Sequence, residues 1–151
     1  MIRQLSILTG GTIVALALAV APATAPTAEA AGCVQIHRIS YDSPGSDTGA
    51  NSSLNAEWVQ LRNGCTTAKS LTGWTLRDAS SHVYKFGSYT LKAGGYVKVH
   101  TGRGSNTSAD RYWGQGWYIW NNTGDTATLK SSTGTLLDTC RFSGGGATVS
   151  C

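Results

Sequence analysis

Residues 57–63 read Glu-Trp-Val-Gln-Leu-Arg-Asn, and this alternation narrows the fold more than any other feature of the chain. Val59 and Leu61 share one parity; Trp58, Gln60 and Arg62 share the other. Side chains alternate between the faces of a strand but recur about every 3.6 residues on a helix, so the pattern describes a strand with one buried side. The same period returns in short segments cut by turn residues. "GGYVKVHT" (94–101) sends Val97 and Val99 inward and Tyr96, Lys98 and His100 outward. "GWTLRD" and "HVYKF" predict a hairpin across residues 79–81, and "TATLK" with "GTLLDTC" predicts another across 131–134. "CVQIHRISY" (33–41) is a first strand whose parity breaks between Ile36 and Ile39, which predicts a β-bulge. About seven to nine such strands, with no long helical run among them, predict an all-β protein built as a sandwich.

The first thirty residues stand apart from this pattern. Arg3 is the only charge ahead of an apolar run from Ile13 to Ala21, and Ala28-Glu29-Ala30 has the small-residue form of a signal-peptidase site. That run is shorter than the roughly 20 residues a membrane-spanning helix needs. The expectation is a signal peptide over residues 1–30, then a single secreted domain over 31–151 without a transmembrane span. The four cysteines, Cys33, Cys65, Cys140 and Cys151, form no C-x-x-C motif. An even set in an exported chain reads as disulfides rather than metal ligands. Of the three possible pairings, Cys33–Cys65 and Cys140–Cys151 are expected. The first would join the start of one strand to the end of its antiparallel neighbour, and the second would pin the Gly144-Gly145-Gly146 tail. The net charge of +4 is unchanged by removing Arg3 and Glu29 together. A mild positive balance of this kind favours anionic partners.

Four segments, "EWVQLRN", "LTGWTLRD", "YKFGSYTLKAGGYVKVHT" and "IWNNTGDTATLKSSTGTLLDTC", resemble in that order the motifs of the lamin tail domain. The resemblance covers residues 34–142. It implies an immunoglobulin-like β-sandwich of the kind found at the tail of nuclear lamins and in exported bacterial proteins. It further implies that Trp74 and Leu76 fill the space between the sheets, that Gly73 gives the turn its backbone freedom, and that Trp120 is buried. The chain departs from the family where Arg38 and Gln60 stand at positions that are often acidic, which argues against a cation site there. The cysteines and "RYWGQGWYIW" (111–120) are not general features of the family.

That aromatic stretch is one candidate binding element. Tyr112, Trp113 and Trp117 are expected at the surface, where rings beside Gly114 and Gly116 could stack on sugars. The outward parity supplies another candidate: Trp58, Arg62, Arg77, Lys98 and His100 would form a basic, partly aromatic face if their strands are neighbours. His37, His82 and His100 lack ligand-like spacing, and Asp42 and Asp47 lack the pattern of a calcium loop. Asn51, Asn106 and Asn121 begin N-x-S/T sequons. No G-x-S-x-G elbow is present, and the carboxylates are scattered, Glu57 and Asp78 reading as strand-end or turn residues. No enzyme activity, metal or cofactor is therefore expected. The sequence reads as a non-catalytic adhesion or scaffolding module. Its candidate partners are a cell-wall polysaccharide, an anionic polymer such as teichoic acid or nucleic acid, or another surface protein. The alternatives are a carbohydrate-binding module using residues 111–120 and, further off, a small hydrolase or nuclease.

Overall fold

The computed structural model describes residues 32–151, and the signal-peptide reading of residues 1–30 lies outside them. The described residues form eleven strands and one short helix. In chain order these are β1 (Val34–Ser40), α1 (Asn51–Ala56), β2 (Trp58–Asn63), β3 (Lys69–Ser70), β4 (Thr75–Arg77) and β5 (Val83–Lys85). They continue with β6 (Thr90–Leu91), β7 (Tyr96–His100), β8 (Asp110–Tyr112), β9 (Asp125–Lys130), β10 (Leu136–Phe142) and β11 (Thr148–Ser150). A five-stranded sheet in the order β11-β1-β2-β7-β8 faces a four-stranded sheet in the order β10-β9-β4-β5, and β3 pairs with β6. The strands without a counterpart in that periodic pattern are β3, β6, β8 and β11, each only two or three residues long and too short to display a period. α1 emerges from what reads as a polar loop. The Asn51 and Asn55 side-chain amides both donate to the Arg103 carbonyl, and Leu54 is buried beneath them.

The core follows the parity of the strands. Val59 and Leu61 of β2 pair with Val99 and Val97 of β7, and all four are buried, as are Leu76 of β4 and Leu129 of β9. Burying a side chain of this size contributes about 1.5–3 kcal/mol. The register of β1 against β2 shifts between Ile36 and Arg38. The extra residue lets Ile36 and Ile39 both face inward despite their odd separation. Trp120 is buried as expected. Trp74 corrects the expectation that it lies between the sheets, because it is only partly buried against the core. It precedes β4 in a turn, where its N–H donates to the Leu71 carbonyl and its own carbonyl accepts from Phe86. Gly73 within that turn has a φ of 78°, in the region where a side chain is strained.

Both expected disulfides are present. Cys33–Cys65 closes the β1–β2 pair with a Cα separation of 5.2 Å. Cys140–Cys151 spans 5.7 Å and links β10 of one sheet to the residue after β11 of the other. The tail is held by more than this covalent bond, since β11 pairs with β1 and the Cys151 N–H donates to the His37 carbonyl. Such disulfides suit an oxidising, extracellular setting. Among the described residues no helix is long and apolar enough to cross a membrane.

Candidate functional site

The alternation that buries Val59, Leu61, Val97 and Val99 turns Trp58, Gln60, Arg62, Tyr96 and Lys98 to the outside of the five-stranded sheet. Register brings them together: Gln60 lies opposite Lys98 and Arg38, and Arg62 opposite Tyr96 and Gln35. The Lys98 ammonium sits 4.3 Å from the centre of the Trp58 ring, and the Arg62 guanidinium 5.9 Å from that of Tyr96. The His37 ring meets Tyr96 edge-on at 5.2 Å. Ring faces attract cations, so these contacts hold each charge in place without neutralising it. The outward positions of β1, β2 and β7 carry no carboxylate. Among the described residues no lysine or arginine lies within salt-bridge distance of a carboxylate, both such contacts going to histidines. One carboxylate does reach this sheet, Asp110 of β8 in register with Lys98, and it is held by His100 Nε2 at 2.8 Å. Asp125 accepts from the N–H groups of Ala79, Asn121 and Thr126, and Asp138 from that of Ile36.

Two residues assigned to this face behave differently. Arg77 belongs to β4 of the opposite sheet and donates to the Ser81 hydroxyl at 2.7 Å. Parity tells which side of its own sheet a residue takes but not which sheet its strand joins. His100 does lie on β7, yet only 13% of its side chain is exposed and both ring nitrogens are engaged, by the Asn55 carbonyl at 2.7 Å and by Asp110 at 2.8 Å.

The aromatic stretch does not form the expected three-ring surface. β8 runs parallel to β7, and the Trp113 N–H donates to the His100 carbonyl. Tyr112 stacks on His100 with ring centres 5.0 Å apart. Trp113 packs against the core beside Tyr84 and Trp120 rather than standing exposed, because continuation of the β8 pairing carries it over the rim of the sandwich. Trp117 alone of the three is open to solvent, with 61% of its surface exposed.

Glu57, read from sequence as a strand-end residue, is fully buried. One of its oxygens, Oε1, accepts from the Thr101 hydroxyl at 2.6 Å and the Ile119 N–H at 2.8 Å, while Oε2 has no partner. Burial pushes its carboxyl from 4.5 up to about 7, against the lowering effect of those hydrogen bonds. Glu57 therefore ties the end of the aromatic stretch to the sheet. No periodic signal announces this, since a single acid beside a strand looks like any surface residue.

The three histidines remain apart: His37 is against Tyr96, His100 on Asp110, and His82 on Asp78 at 2.6 Å. Asp42 and Asp47 are bridged by the Asn122 side-chain amide, at 3.0 and 3.4 Å. The sequon asparagines also take part in the fold, Asn51 with Arg103, Asn106 with the Tyr112 N–H, and Asn121 with Thr123. Compared with known proteins, the chain matches the sequence model of a family described as Lamin Tail Domain over residues 27–144. It matches no curated protein.

Proposed function

The chain belongs to the lamin tail domain family, whose immunoglobulin-like domains often act as non-catalytic binding or structural modules, and from that premise we propose that it holds an anionic cell-surface polymer against the outer face of its five-stranded sheet. The observation that carries this reading is the arrangement of Lys98 over Trp58 and Arg62 beside Tyr96, on a surface whose central strands present no carboxylate. Arg38, exposed opposite Gln60, extends the same surface. A linear polyanion laid across these strands meets several cations at once, and its neutral portions rest on the rings. The disulfides favour a site of action outside the cell, where adhesion or scaffolding is the role such contacts serve.

The reading is tested by the salt dependence of binding to a poly(glycerol phosphate) teichoic acid, with single-stranded DNA as the comparison. Binding should weaken linearly on a log–log scale as salt rises. The double variant Arg62→Ser/Lys98→Ser should flatten the slope by about 1.5, since each phosphate contact contributes about 0.7–0.9. Arg77→Ser, on the other sheet, should leave the slope as it is. Absence of binding at low salt, or equal slopes in all three proteins, would overturn the reading.

A further inference from the structure

A cleft of about 370 Å³ opens at one end of the sandwich, and none of its lining residues lies on β1, β2 or β7. Trp117 forms one wall. A large aromatic that is 61% exposed is an unfavourable surface to leave open, and an unsupported one would swing onto the protein. This ring is held from behind. A Cβ placed on Gly49 would come within 2.6 Å of Trp117 Cζ3 and 3.0 Å of Cε3, so the indole lies directly on the glycine backbone. Gly49 also has a φ of 70°, which disfavours any replacement. The Tyr118 ring meets Trp117 edge-on at 5.5 Å, and the Tyr118 hydroxyl is fixed by Ser53 at 2.6 Å and the Gly49 N–H at 3.4 Å. The indole is thus immobilised while its outer surface stays open.

Two of the polar groups around the ring, His82 and Asn122, are held in place, and Asp47 is exposed at the rim with one contact of 3.4 Å from Asn122. Asp78, itself buried, accepts the His82 N–H at 2.7 Å and contacts His82 Nδ1 at 2.6 Å, so the imidazole is oriented with Nε2 unclaimed. Asn122 donates its amide to Asp42 and Asp47, which leaves its carbonyl oxygen as an acceptor. Asp47, Asn122 and His82 all line the cleft, and no lysine or arginine does. A flat apolar ring flanked by a carboxylate, an amide and an oriented imidazole matches a pyranose. The sugar's C–H face covers the indole, and its adjacent hydroxyls both donate and accept. The carboxylate and the absence of lysine and arginine disfavour an acidic sugar.

We propose that this cleft binds a neutral saccharide, stacked on Trp117 and hydrogen-bonded by Asp47, Asn122 and His82. The site is independent of the anionic-polymer face, since the two share no residue. Calorimetric titration of the oxidised protein with cellohexaose, maltohexaose and chitohexaose tests it. Calorimetry is the readout for the variants because Trp117 would itself be a fluorescent reporter. At least one of these hexasaccharides should bind, with an affinity unchanged by 0.5 M NaCl and unchanged in Arg62→Ser/Lys98→Ser. Trp117→Ala, which removes an exposed side chain and should fold, should weaken it at least tenfold. Gly49→Ala, which displaces the indole but keeps it, should weaken it several-fold, and so should Asp47→Ala. No binding by any of the three sugars, or equal affinity in Trp117→Ala, would overturn the proposal. So would loss of binding in Arg62→Ser/Lys98→Ser, because it would place the sugar on the sheet face.

Discussion

Replacing Glu57 by Gln should stabilise the protein at alkaline pH and leave its stability nearly unchanged in acid. The side chain is fully buried, and only Oε1 is hydrogen-bonded. Its carboxyl is held at about 7 in the folded protein, against 4.5 for the ordinary group. The folded state therefore keeps a proton that the unfolded chain has already lost, and stability falls as pH rises between those two values. The slope is about 1.4 kcal/mol per pH unit, which accumulates to roughly 3 kcal/mol by pH 8. Glutamine keeps an acceptor for Thr101 and Ile119 and cannot ionise, so this loss disappears in the variant. Below pH 4.5 both proteins carry a neutral side chain here, and their stabilities should agree within about 1 kcal/mol. Guanidinium unfolding of the oxidised proteins, followed by tryptophan emission from pH 4 to 8.5, measures the difference directly. Other titrating groups are common to both proteins and cancel in the comparison. A difference that stays flat with pH would show that the Glu57 carboxylate ionises normally, and the argument from burial would be wrong.

Converting Cys140 and Cys151 together to Ser should cost roughly 2–4 kcal/mol in chemical denaturation, because the bond ties the two sheets across an 11-residue separation; a loss below 0.5 kcal/mol would mean that the β11–β1 pairing alone holds the tail. Trp120→Ala should cost about 3–5 kcal/mol. Trp74→Ala should cost clearly less because that ring is only partly buried, and a reversed order in thermal unfolding would contradict the burial pattern. Gly73→Ala should destabilise by about 1–2 kcal/mol, since its φ of 78° strains a side chain and Ser132 Cβ would lie 3.1 Å away, and a neutral result would show that the turn relaxes.

Several features of this fold are legible without coordinates because each is a local property of the chain. Which of Val59 and Gln60 faces inward follows from a period of two, and the bulge follows from the odd spacing of Ile36 and Ile39. The Cys33–Cys65 bridge goes one step beyond such local signals: it is the preferred pairing on paper, and it is fixed only when β1 and β2 lie side by side as antiparallel neighbours. Four motifs in the proper order suffice to indicate the family.

What escapes the sequence is everything that depends on which strand lies beside which. Arg77 and Arg62 share an outward parity, yet β4 joins one sheet and β2 the other, so only Arg62 contributes to the cationic face. The fate of Trp113 depends on β8 running parallel to β7, a pairing made by backbone hydrogen bonds that carry no side-chain signature, and that of Trp117 on its contacts with Gly49 and Tyr118. Glu57 becomes a buried acid only because residues 101 and 119, far along the chain, close over it. The cleft beside Trp117 is assembled from segments near residues 47, 82 and 122 that no spacing rule connects. The sequence by itself determined the periodic strands, their faces and the family, because periodicity and turn chemistry act over a few residues. The tertiary structure alone decided which cations share a surface, which ring stays exposed and which carboxylate is buried, because those outcomes are set by contacts between residues distant in the chain.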